Sequence, residues 1–159
     1  VSIICLMRGV NMGKACTGFG HRRIFENING ALYENICRLI ESDYILFYTG
    51  DMGQFDRIFT ACVRRAKKEF PERKIELICV KPYLTKELND NKEFYYKTFD
   101  DIIIPEELTG AYYKSAIKKR NRWMIDNSDA VIIFTVLNSG GAFEAEKYAE
   151  KSNKKIIKL

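Results

Sequence analysis

One histidine, three prolines and one tryptophan are all that this chain of 159 residues has of those types. A single imidazole, His21, leaves a histidine-rich metal site or a Cys–His pair with little material. Cysteines stand at 5, 16, 37, 62 and 79, an odd count with no CxxC pair. Cys62 falls in a helical pattern, and Cys16 and Cys79 in strand-like patterns. That usage reads as reduced, buried thiols in a cytoplasmic protein. No run of about 18 apolar residues is present, so no membrane span is expected. Residues 1–11 are apolar but lack a basic start and a small-residue cleavage site, so no signal peptide is expected. The first strand follows Met12 cleanly, which makes 12–159 the expected single domain and 1–11 an upstream or non-native extension.

Charge of one sign is not in large excess: Lys plus Arg is 26 and Asp plus Glu is 21, a net charge of +5. The balance favours anionic ligands such as phosphates. It lacks the dense basic stripe of a DNA binder, so nucleic acid is set aside as a partner at this stage and a small-molecule nucleotide is expected. With 47% hydrophobic and 30% charged residues, the chain is ordinary for one folded domain.

Strand-like and helical patterns alternate. Strands are expected at 14–17, 44–49, 75–80, 101–104 (an edge strand), 130–137 and 155–159. Helices are expected at 27–42, in the segment from Phe55 to Phe70, and at 113–127 and 143–151. Residues 81–112 otherwise read as irregular and aromatic-rich. The alternation predicts a Rossmann-like three-layer α/β/α sandwich with a mostly parallel sheet. In such sheets ligands bind beyond the C-terminal strand ends, where strand order reverses.

Four strand ends or facing helices carry unusual residues. Thr17-Gly18-Phe19-Gly20-His21-Arg22 offers glycines for close backbone approach, a bidentate arginine, and an imidazole able to donate a proton. The plainer reading is a tight turn with solvated cations. Thr49-Gly50-Asp51-Met52-Gly53 precedes a helix with Asp56 in its first turn, where a carboxylate either meets a ligand or complements the helix dipole. In the helix 113–127, Arg120 and Asn121 share the inward stripe of Tyr113, Ala116, Ile117 and Met124. An arginine there must be paired or reach a ligand; a salt bridge to Asp126 or Asp56 is the structural alternative. Lys114, Lys118 and Arg122 lie on a solvated face. Ser139-Gly140-Gly141 opens a helix as a phosphate nest, with Glu144 in its first turn and Glu146 expected to be exposed. Glu144 is the candidate catalytic carboxylate, as nucleophile or base.

These pieces, spread from residue 14 to 159 in order, resemble the SLOG superfamily and, within it, the YpsA-like proteins of bacteria. The likeness rests on Thr17-Gly18, His21-Arg22, Gly50, Phe55-Asp56, Arg120-Asn121, Met124-Ile125-Asp126, Ser128-Asp129 and Gly140-Gly141-Ala142. It implies a site for nucleotides or nucleotide-derived ligands, NAD or ADP-ribose types included. The superfamily holds the LOG phosphoribohydrolases and the DprA proteins, which bind single-stranded DNA. LOG enzymes carry Pro-Gly-Gly-x-Gly-Thr-x-x-Glu, where this chain has Phe143, Glu144 and Lys147 at the later Gly, Thr and Glu. The stretch Gly141–Glu144 is also similar to nucleoside deoxyribosyltransferases.

The leading expectation is a nucleotide-binding domain. Thr17, Gly18, His21, Arg22, Gly50, Gly53, Asp56, Arg120, Asn121, Gly140 and Gly141 would hold the ligand. An N-glycosidic hydrolase or transferase using Glu144 is the first alternative, and single-strand nucleic-acid binding the second. Tyr83, Phe94, Tyr95, Tyr96 and Tyr112 would line a base pocket or a lid, with plain packing as the blander reading. Self-association through exposed helical faces is expected of such a domain.

Overall fold

A run of apolar residues bounded by turns makes a strand that is buried on both faces, and several such runs separated by amphipathic helices stack into a parallel sheet. The computed structural model describes residues 13–159 and the backbone of residues 2–4. The expected boundary at Met12 and the thiol of Cys5 lie outside the described residues. The strands are β1 (Ser2–Ile4), β2 (Lys14–Gly20), β3 (Tyr44–Thr49), β4 (Glu76–Val80), β5 (Asp101–Pro105), β6 (Ala130–Phe134) and β7 (Lys155–Lys158). They form one sheet in the order β1-β5-β4-β3-β2-β6-β7, and every described pairing is parallel.

The helices are α1 (Asn29–Glu41), α2 (Gln54–Glu69), α3 (Lys86–Asp90), α4 (Lys92–Thr98), α5 (Tyr113–Asp126) and α6 (Gly141–Lys151). One core packs α1, α2 and side chains of α3 and α4 against one sheet face, through Leu32, Ile36, Phe55, Phe59, Leu88 and Tyr95. A second packs α5 and α6 against the other, through Trp123, Met124, Ala145 and Ala149. Strand residues alternate between the two: Phe47 belongs to the first core and its neighbours Leu46 and Tyr48 to the second. The architecture is the expected α/β/α sandwich. No described helix is long and apolar enough to cross a membrane.

Several elements depart from expectation, each for a visible reason. Strand β5 is internal, because β1 pairs with its outer side. Residues 81–112 contain two helices; the first is capped by Thr85, whose Oγ1 accepts from the Leu88 backbone N–H at 3.1 Å. On α5, Tyr113 is exposed and Trp123 is buried edge-on against Tyr48, with ring centres 5.4 Å apart. Strand β6 stops at Phe134, and Val136 and Leu137 stand out in solvent. Cys16, Cys62 and Cys79 are buried free thiols, and burial pushes Cys62 up to about 11 and Cys79 up to about 12.

Chain order along the sheet reverses at β2. Strands β3, β4 and β5 are added on one side of it, and β6 and β7 on the other. The crevice rule therefore points to the gap between the C-terminal ends of β2 and β6. Phe47, fully buried at the middle of β3, reports on the integrity of this frame. Phe47→Ala should lower the free energy of unfolding by about 3–5 kcal/mol in a denaturant titration monitored by circular dichroism.

Candidate functional site

At the β2–β6 gap lies a cavity of about 410 Å3. Its walls come from Phe19 and Gly20 at the end of β2 and His21 and Arg22 beyond it, Met52 just before α2 and Asp56 in its first turn, Ile117, Arg120, Asn121 and Met124 of α5, and Leu137 with Ser139 to Ala142 around the start of α6. The volume suits a ligand the size of one nucleotide.

Thr17 and Gly18 do not reach this cavity. Strand β2 runs on to Gly20, three residues past the expected end. Thr17 is fully buried and donates from Oγ1 to the Tyr48 carbonyl at 3.0 Å. A Cβ on Gly18 would sit 3.0 Å from the rings of Phe55 and Phe59, and one on Gly20 would sit 2.3 Å from Phe55. These glycines let α2 approach the sheet. The ligand-facing turn is Gly20-His21-Arg22, so of the two glycines offered for close approach it is Gly20, not the expected Gly18, that lines the cavity. Arg22 is exposed at the cavity wall, and its carbonyl accepts from the Gln54 backbone N–H at 2.9 Å. Gly53 adopts a φ of +100° and packs under Arg22 rather than lining the cavity.

His21 does not offer Nε2 to a ligand. That nitrogen accepts from the backbone N–H of Val136 at 2.9 Å and of Leu137 at 3.3 Å. The imidazole proton therefore sits on Nδ1, and the ring ties the loop after β6 to the end of β2. The ring packs in a T-shaped arrangement with Phe134, with centres 6.2 Å apart.

Arg120 is 3% exposed and forms the cavity floor. Its Nη1 donates to the carbonyls of Gly50 at 3.1 Å and Val80 at 2.9 Å. Its Nε donates to Asn121 Oδ1 at 2.9 Å, and its Nη2 lies 3.3 Å from the Met52 sulfur. The expected salt-bridge partners are otherwise engaged. Asp126 accepts from the Tyr148 hydroxyl, and Asp56 accepts from the Met52 backbone N–H at 2.7 Å. Asp56 still acts on Arg120 through space, as its countercharge. Burial raises the Asp56 carboxyl from its ordinary 3.8 to about 6; the Met52 hydrogen bond and the Arg120 charge pull the other way and only partly offset it. Asp56 is thus an acid that titrates in the crevice near neutral pH.

At the far wall, Gly140 caps α6 with a φ of +91°, and no side chain caps the helix. The first-turn N–H groups are left for an outside acceptor. Glu144 points away. It pairs with Lys118 at 3.0 Å and lines a neighbouring groove of about 550 Å3 between α5 and α6. Lys118 is exposed, as expected of a solvated face, and reaches Glu144 from there. Glu146, expected to be exposed, is 5% exposed; it accepts from Thr135 and pairs with Lys158, which hold it below the usual carboxylate range. Among the lining residues, Asp56 is the carboxylate of the cavity. Of the aromatics offered for a base pocket, Tyr83, Phe94 and Tyr95 gather elsewhere, between α2 and α4.

Gly50 serves Arg120 rather than a ligand: a Cβ there would lie 2.5 Å from Nη1 and 2.7 Å from Cζ. Gly50→Ala should displace the guanidinium and lower stability by about 1–3 kcal/mol, read from the denaturant midpoint. Gly30→Ala, in open space on α1, should raise stability by about 0.4–1 kcal/mol in the same assay.

No protein-family model and no curated protein matches the chain. Solved structures do. The DNA processing protein A of Helicobacter pylori, a protein with a single-stranded DNA binding mode, superposes with a TM-score of 0.65 at 19% identity, over 92% of this chain and 65% of that one. The DNA processing protein A (DprA) of Streptococcus pneumoniae superposes with a TM-score of 0.62 at 12% identity, over 92% of this chain and 53% of that one. This chain therefore spans between about half and two thirds of their length. The setting aside of nucleic acid as a partner is overturned here. A protein of this fold binds single-stranded DNA, and net charge is a poor guide where a local crevice presents the cations. What the comparison shows is a fold: the chain has the Rossmann-like α/β architecture of DNA processing protein A.

Proposed function

We propose that the β2–β6 crevice binds one nucleotide unit of a single-stranded nucleic acid. The observation that carries this reading is convergence on one cavity. The uncapped N-terminus of α6, the exposed guanidinium of Arg22 and the buried guanidinium of Arg120 all border the same 410 Å3. The phosphate would rest on the N–H groups of Gly141 and Ala142 and on Arg22, bonded in pairs. Asn121 would meet the sugar. Arg120, with most of its donors committed to protein, would act mainly as a fixed positive charge beneath. The shared fold with a single-strand binder supports the reading, as does the likeness to the SLOG superfamily.

A free nucleotide is the second reading, favoured by the cavity's size. Glycosidic cleavage through Glu144 gains no support from the geometry, since that carboxylate faces the neighbouring groove.

Fluorescence anisotropy with a labelled oligothymidylate tests the main reading. Binding should weaken steeply with salt, duplex should compete poorly, and Arg22→Ala should weaken binding by about ten- to a hundredfold, one charge-assisted contact being worth roughly 1.5–3 kcal/mol. Absence of binding to the oligonucleotide, with stabilisation by nucleoside monophosphates in a thermal melt, would transfer the assignment to the free nucleotide. Absence of both would end the nucleotide reading.

Asp56 gives a pH signature. Its pKa in the folded chain lies at about 6 against an ordinary 3.8, so its proton is retained in the fold at pH 5 and lost above about 6. The raised value contributes stability at low pH that disappears as pH rises through about 6. It also places a negative charge beside the bound phosphate at higher pH. Oligonucleotide affinity should therefore rise as pH falls from about 7 to about 5, and Asp56→Asn should flatten that step. A phosphodiester probe does not titrate in this range, so an unchanged profile in the variant would remove Asp56 from the site.

A further inference from the structure

On the other side of Met52 from the crevice lies a recess of about 610 Å3 between α2 and the segment that carries α3 and α4. Three features set it apart from an ordinary surface hollow. First, Arg57, Thr60 and Arg64 line one wall from a single face of α2, at spacings of three and four residues. Both arginines reach solvent, and no described carboxylate pairs with either. Second, the Thr60 residue is 8% exposed, and its hydroxyl is buried without a hydrogen-bond partner among the described residues. A helical threonine ordinarily turns its hydroxyl onto the preceding turn, so an unpaired one at this depth is a polar atom that the fold leaves unsatisfied behind the wall of arginines. Third, the opposite wall carries two exposed aromatic rings, Tyr83 and Phe94, 38% and 67% exposed.

Lys81 sits at the base, 3.0 Å from Asp51 and 4.9 Å from the Tyr95 ring centre. Asp51 thereby neutralises it, and Glu87 is the other carboxylate at the rim. The two arginines supply the remaining positive charge. Met52 lines both the crevice and the recess, so the two adjoin across one side chain.

Exposed aromatic faces beside arginines are the chemistry that holds a stacked base and its phosphodiester. We propose that this recess is a second nucleotide subsite, stacking a base on Phe94 and Tyr83 and taking its phosphodiester on Arg57 and Arg64. The proposal rests on the single-strand reading of the crevice and adds a direction to it. A strand anchored by one nucleotide between β2 and β6 crosses Met52 and lays its neighbour over α2.

The test compares thymidine monophosphate with oligothymidylates of two to about eight nucleotides, a span typical of single-strand sites. The proteins are wild type, Arg64→Ala with Phe94→Ala, and Arg22→Ala. Both Arg64 and Phe94 are exposed, and a thermal melt confirms that the double variant folds. Wild type should gain roughly tenfold or more in affinity on passing from the monophosphate to the short oligomers, as one stacked base contributes. The double variant should lose that gain, lose about one from its log–log salt slope, and keep the wild-type affinity for the monophosphate. A 5-bromouracil oligomer should crosslink to Tyr83 or Phe94.

A wild type that binds the monophosphate with no gain on lengthening overturns the subsite and spares the crevice. So does a length gain that survives in the double variant. Loss of monophosphate and oligomer binding alike in wild type overturns both readings.

Discussion

The buried guanidinium of Arg120 is the interaction on which the site depends. Parallel strands end with carbonyls that no neighbouring strand satisfies, and at β3 and β4 those of Gly50 and Val80 turn to the same nitrogen. A cation three per cent exposed is costly to bury, and here the cost is offset by those carbonyls, by Asn121 and by the nearby Asp56. One side chain from α5 thereby fixes two strand ends belonging to other βα units. The cavity floor and the orientation of Met52 follow from it, and its charge partly offsets the burial that raises the Asp56 carboxyl.

Around that floor the remaining walls are held by local ties rather than by sheet hydrogen bonds. His21 grips the backbone of the loop after β6. The Arg22 carbonyl and the Gln54 side chain join the turn after β2 to the first turn of α2, with Gln54 Oε1 accepting from the Ile24 backbone N–H at 2.9 Å. The crevice is therefore preformed on three sides, while α6 brings an uncapped helix end to the fourth. Preformed walls of this kind reduce the ordering needed when a ligand enters.

The architecture was legible because its signals are periodic and redundant. The stripe Leu32, Ile36, Leu39, Ile40 and the run from Tyr44 to Thr49 appear in the structure where the pattern puts them. Arg120 was legible for a related reason, as a charge in an apolar stripe, although its partners were not. They are main-chain carbonyls from strands 40 and 70 residues away, which leave no trace in side-chain identity. Glu144 and Glu146 show the limit more sharply. Two residues apart on one helix, they face different surroundings, and the outcome turns on where Lys118 and Lys158 arrive from distant elements. The pairing of β1 with β5 was hidden for a similar reason, since a three-residue strand has too little pattern to declare itself.

Gly18 and Gly20 have a consequence beyond the site. A side chain at either place would push Phe55 outward, so the missing methyls set the spacing between the helical layer and the sheet. That spacing fixes how far the N-terminal end of α2 leans toward the gap beside β6, and with it the depth at which Met52 and Asp56 stand. The two glycines are a gauge block for the molecule. A Gly-x-Gly beside a strand end in such a chain is informative about interlayer distance first, and about a ligand only through the hollow which that distance leaves.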